Sequence, residues 1–180
     1  MSLKSELVGS AGLYAAAYQM ARRGWLVSPT LGNAPRTDLL AQYAEGASRG
    51  TAAIQVKTRT GGDFHLDISD ASPPGANEWV ILVSLPSTRE EQPGFCVIPR
   101  NHVCTLVRVL AAILASQNKR WPRKLIGEEE FKDYRDRWNL MSAPAGDAPW
   151  WLPEWVFNGL DLAKPLDDLA PIPSVRDPGP

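Results

Sequence analysis

Thr51-Ala52-Ala53-Ile54-Gln55-Val56-Lys57-Thr58 is the stretch whose reading decides the fold. Successive side chains on a strand point to opposite faces, so Ile54 and Val56 share one side and Gln55 and Lys57 share the other. Towards the N-terminus, Asp38-Leu39-Leu40-Ala41 opens an earlier strand after the turn-rich Gly32-Asn33-Ala34-Pro35, and Trp25-Leu26-Val27-Ser28 forms another. Before them, Leu7, Ala11, Tyr14, Ala15, Tyr18 and Ala21 recur every three or four residues. That spacing predicts an amphipathic helix over 5–23 with these side chains as its apolar face, stopped at Arg22-Arg23-Gly24.

Towards the C-terminus, Gly61-Gly62 marks a turn, and Phe64, Leu66 and Ile68 alternate as in a half-buried strand. The apolar run Trp79–Leu85 reads as a strand covered on both faces, and Phe95–Ile98 as one more. Asn101 is placed to cap a helix over 102–117 with the stripe Val103, Leu106, Val107, Leu110 and Leu114. A second helix is predicted over 128–138, opening on Glu128-Glu129-Glu130, with Phe131, Tyr134 and Trp138 inward. One helix, a strand-rich middle and two further helices describe an α/β or α+β domain with a small mixed sheet.

The chain has 180 residues, a formal net charge of −1, 2 cysteines and 2 histidines. So few cysteines and histidines exclude a disulfide framework and a zinc-finger site. Leu106–Ala115, the longest apolar stretch, contains Arg108 and is far shorter than the roughly 20 residues a bilayer crossing needs. A cytoplasmic protein without membrane partners is expected. Residues 1–142 hold 17 basic and 14 acidic side chains, whereas 143–180 hold 2 basic, 6 acidic and 8 of the 16 prolines. The second part therefore reads as an extended, acidic, Pro/Trp-rich C-terminal arm following a domain over 1–142. Trp150, Trp151, Trp155 and Phe157 set it apart from an ordinary disordered tail. The Trp150–Trp155 segment either packs back on its own domain or serves a homodimer or another protein partner.

Asp38, at the head of one strand, and Gln55 and Lys57, on one face of the next, can converge on a common point. With the preceding helix and the Gly24-Trp25-Leu26-Val27 turn into a strand, the region from Leu7 to Lys57 resembles the PD-(D/E)XK nuclease superfamily, the restriction-endonuclease-like fold. The resemblance implies an α/β core in which Asp38, Gln55 and the backbone carbonyl of Val56 hold Mg²⁺ or Mn²⁺. Lys57 would position the attacking water. Metal-dependent hydrolysis of DNA phosphodiester bonds, by an endodeoxyribonuclease, is the activity it implies. Two departures stand out: Gln55 replaces the acid of the triplet, and Leu13 stands where the first helix of the family often carries a glutamate. They favour an alternative, a catalytically degenerate member acting as a nucleic-acid-binding or protein-interaction module.

Plainer readings compete for each residue. Asp38 serves a turn with Arg36, or Gln55 and Lys57 form a solvated strand face. His65 and His102 are expected at the surface or at a cap, and Cys96 and Cys104 in or near the core. Arg22, Arg23, Arg36, Arg49 and Arg59 would surround the cleft, while Lys119, Arg120, Arg123 and Lys124 flank Trp121. Of these, Arg36, Arg59, Lys119 and Arg120 are the predicted phosphate contacts, unless the second group only complements a helix end.

Overall fold

A computed structural model describes residues 5–30, 36–43, 50–88, 90–119, 127 and 129–160. The order is α1 (Ser5–Ala21), β1 (Trp25–Pro29), β2 (Leu39–Tyr43), β3 (Thr51–Arg59), β4 (Glu78–Ser84), β5 (Gly94–Pro99), α2 (Arg100–Ser116) and α3 (Glu154–Asn158). The fold is α/β, built on one five-stranded mixed sheet of order β1-β2-β3-β4-β5. β3 and β4 run parallel and every other neighbouring pair is antiparallel. Gly24, at φ +86°, makes the sharp turn from α1 into β1, a backbone conformation that favours glycine.

Side chains of directly paired residues share a face, so the register sorts the sheet. One face carries Trp25, Leu39, Ala41, Ala52, Ile54, Trp79 and Ile81, all buried. α1 covers this face with Gly12, Ala16 and Met20, and at Gly12 it approaches so closely that a Cβ would collide with Thr58 of β3. The buried side is therefore not the stripe expected from the sequence: Leu7, Tyr14 and Tyr18 are 56%, 64% and 59% exposed. Small residues let the backbone of α1 sit low on the sheet, and a Tyr-bearing face would hold it off.

The other face carries Gln55, Lys57, Val80 and Leu82, and is covered by α2 and by the 3-10 turn Ile68–Ala71. That cover ends at β3. Over β1 and β2 the same face is open, with Leu26 and Leu40 64% and 54% exposed. β4 is buried on both sides from Trp79 to Val83, as its continuous apolar run predicts.

Three local expectations are corrected. Residues 63–68 form no strand; only an isolated bridge occurs at Phe64, and the chain turns into the 3-10 segment, where Asp67 and Asp70 make a capping box. The helix expected over 128–138 is two 3-10 turns, Glu129–Tyr134 and Trp138–Ser142, separated by Asp136 at φ +53°. Phe131, Tyr134 and Trp138 are nonetheless inward, because tighter turns satisfy the same spacing. α2 begins at Arg100, after Pro99, so Asn101 lies inside the helix and does not cap it.

Residues 143–160 return to the body. Ala145, Ala148, Trp150, Leu152 and Val156 belong to the same hydrophobic core as the sheet.

Candidate functional site

Asp38 directly precedes β2 and extends its ladder. Its amide donates to the Ile54 carbonyl at 2.8 Å, its carbonyl accepts from the Thr30 amide at 2.9 Å, and its carboxylate Oδ2 accepts from the Val56 amide at 2.7 Å. One residue thus ties β1, β2 and β3 together, with its carboxylate against the backbone between Gln55 and Lys57.

Gln55 and Lys57 share the α2 face, as the strand alternation predicts, and each is engaged. Lys57 Nζ lies 2.9 Å from Asp70 Oδ2 and donates to the His65 carbonyl at 3.2 Å. Gln55 Oε1 accepts from Arg100 Nη1 at 2.5 Å. Arg100, fully buried, also faces Asp70 Oδ1 at 3.6 Å and Glu78 Oε2 at 3.8 Å. Two cations, Lys57 and Arg100, therefore balance two anions, Asp70 and Glu78, on one patch beneath the start of α2. A buried charge needs such a counter-charge because its desolvation is otherwise uncompensated.

Asp70, Glu78 and Arg100 were not singled out in the sequence. Asp70 had a readable signal, the three-residue spacing from Asp67 that makes a capping box, and its Oδ2 accepts from the Asp67 amide at 2.7 Å. Arg100 had none, since a basic residue after proline at a helix start goes against the helix dipole.

Mg²⁺ takes near-octahedral oxygen ligands and favours charged ones. Here it would find one carboxylate, Asp38, already accepting a backbone hydrogen bond, and one amide oxygen, Gln55 Oε1, already holding a guanidinium. Among the described residues no group of three His, Cys, Asp or Glu is placed to hold a metal. As arranged, these residues do not fit the ion. Leu13 lies on α1, which packs on the opposite face of the sheet from Gln55 and Lys57, so an acid there would start from the far side of β3.

The basic residues scatter. Arg36 is exposed at φ +60°. Arg59 lies over the Phe64 ring at 4.5 Å and donates to Ser84 Oγ at 3.1 Å. Arg23 stacks on Trp138 at 4.6 Å. Lys119 is exposed just beyond α2, and Arg120 lies outside the described residues, as do Arg49, Trp121, Arg123 and Lys124.

His102 is not at the surface: it is fully buried, against the Trp150 ring at 3.9 Å and hydrogen-bonded through Nδ1 to the Tyr134 hydroxyl at 2.8 Å. Burial lowers its pKa from 6.5 to about 3. Cys96 and Cys104 are buried, as expected. Burial raises the Cys104 thiol to about 11, so it is no nucleophile at neutral pH.

The described residues also line two grooves. An apolar one of about 490 Å³ lies on the open face, between Leu26, Leu40 and Ala53. The other, about 400 Å³, runs between the Glu129–Tyr134 turn and α3, lined by Glu129, Glu130, Asp133, Glu154, Trp151 and Trp155, with Lys132. No helix among the described residues is long and apolar enough to cross a membrane. No family model, curated protein or solved structure matches the chain.

Proposed function

We propose that this chain is a divergent PD-(D/E)XK-like domain whose Gln-x-Lys centre is held shut by its own ion pairs, and that it works as a protein-interaction module. The observation that carries the reading is the Arg100 guanidinium at 2.5 Å from Gln55 Oε1, where a divalent cation would have to sit. The Lys57 ammonium, which would have to orient a water, is held by the buried Asp70. Support for the fold comes from the arrangement around Asp38: a helix, three antiparallel strands and a fourth strand parallel to the third.

A protein partner suits the surface better than DNA. One groove is apolar and uncharged; the other presents four carboxylates against one lysine, which repels phosphate. A second reading, the metal-dependent nuclease, draws on the Asp38 carboxylate lying 2.7 Å from the Val56 amide, beside both Gln55 and Lys57. Calorimetry with Mg²⁺ and Mn²⁺ and a plasmid-nicking assay in the same buffer separate the two. The closed centre gives no binding heat at millimolar metal and no nicking. Metal-dependent nicking that disappears in Asp38→Ala and in Lys57→Ala would overturn it.

A further inference from the structure

The groove between the Glu129–Tyr134 turn and α3 joins two tryptophans to four carboxylates, and most of this chemistry has no partner within the chain. Lys132 Nζ lies 2.6 Å from Glu129 Oε1, so that pair neutralises itself. Among the described residues, no ion pair or hydrogen bond engages the carboxylates of Glu130, Asp133 or Glu154. Glu130 keeps its Oε2 out of contact with solvent, where an acceptor without a donor is costly. Trp155 is 37% exposed and, unlike Trp151, has no ring or cation against it among the described residues.

Three unbalanced negative charges beside an open indole call for a cation, which the face of an aromatic ring also attracts. A metal ion does not suit the groove: it gathers its ligands on one point, and among the described residues no three carboxylates do so. The charges are spread along the groove, so the occupant carries several of its own, spaced apart. Arginine serves both parts, because a guanidinium stacks flat on an indole and forks onto a carboxylate, whereas an ammonium is a strongly hydrated point charge. The molecule uses the same pairing itself, with Arg137 over the Trp151 ring at 5.0 Å. Each exposed contact is weak alone, so useful affinity needs several joined on one backbone. We propose that this groove binds an extended segment of a partner protein bearing two or more arginines, one guanidinium stacking on Trp155 and another pairing with Glu130 or Asp133. The inference deepens the interaction-module reading by naming the partner's chemistry, and it rests on that reading.

The test is calorimetry of the full chain with the peptide Gly-Arg-Gly-Arg-Gly-Arg-Gly, blocked at both ends. It should bind at about 10–100 µM in low salt and weaken several-fold in high salt. The same peptide with citrulline for arginine keeps the shape without the charge and should not bind, and the lysine peptide should bind several-fold more weakly. Trp155→Ala and Asp133→Asn/Glu154→Gln should each weaken binding about fivefold or more, while Trp155→Phe stays near wild type and Glu6→Gln, on α1, changes nothing. All four side chains are exposed, so thermal melts should not move. No binding of the arginine peptide, binding of the citrulline peptide, full affinity in Trp155→Ala or in Asp133→Asn/Glu154→Gln, or an equal loss in Glu6→Gln each overturns the proposal. So does spermine bound as tightly as the peptide, which would make this a site for free polyamines. None of these substitutions touches Asp38, Gln55 or Lys57, so metal-dependent nicking judges the underlying reading separately. A chain that neither nicks nor binds the arginine peptide strikes this inference alone.

Discussion

At the scale of single residues, His102 shows how burial becomes a pH response. Its ring stays neutral in the folded chain down to about pH 3, whereas in the unfolded chain it takes up a proton from about 6.5 downward. The folded pKa is depressed, so the unfolded state binds more protons between those values. Stability is therefore full above about pH 6.5 and falls as the pH drops, by up to ~1.4 kcal/mol per pH unit. Urea midpoints measured from pH 7.5 down to pH 5 should decline, and His102→Phe, which keeps a ring against Trp150, should flatten that decline. An equal slope in the variant would remove His102 as its source. Little of this was legible in the sequence, because a lone histidine near a helix start says nothing of what later packs over it. Gln55 and Lys57 were legible as a pair, since strand alternation dictates a shared face. Their partners, Asp70 for Lys57 and Arg100 for Gln55, lie 13 and 45 residues away in segments whose approach no local pattern encodes.

Among the elements, α1 teaches most about what periodicity can say. The three-and-four spacing located the helix correctly and marked the wrong face as buried, because large apolar residues lie on one side and small ones on the other. The small side wins because close approach of the helix to β3 brings more atoms into contact than a Tyr-studded face would allow. Gly12 is the pivot of that approach. Gly12→Ala should destabilise the fold by about 1–3 kcal/mol through overpacking against Thr58, and Thr58→Ala should recover most of the loss. Additive losses in the double variant, by chemical denaturation, would show that the two residues do not press on each other. β4 was read correctly because its apolar run is short and rich in Val, Ile and Trp, which suits a strand covered on both faces. Residues 63–68 were misread because the alternation of Phe64 and Leu66 is equally served by an irregular segment that buries both.

For the whole molecule, the decisive feature is the return of residues 143–160 to the body. Charge and proline content mark this stretch as different from what precedes it, and both were legible. Its packing was legible only as one of two alternatives, because Trp150 and Leu152 are equally suited to a foreign surface and to their own. Leu152 is fully buried, and removing such a side chain costs about 2–5 kcal/mol, much of the ~5–15 kcal/mol by which a domain is stable. A chain ending at residue 142 should therefore be insoluble or molten, with lost near-ultraviolet circular dichroism. A sharp, wild-type-like melt of that truncation would show that the body is self-sufficient.

Trp150, Leu152 and Val156 also set a timetable. The N-terminal half of α2, Arg100–Val109, is buried throughout in the finished protein, with Trp150 against His102. A growing chain presents that helix long before the residues that cover it have been made, and exposed apolar surface is what sticks nascent chains to one another. The fold is thus most vulnerable in the interval between the synthesis of α2 and that of residues 150–156. Chaperone demand should peak there, and ribosome pausing between codons 117 and 150 should lower the yield of native protein more than pausing earlier.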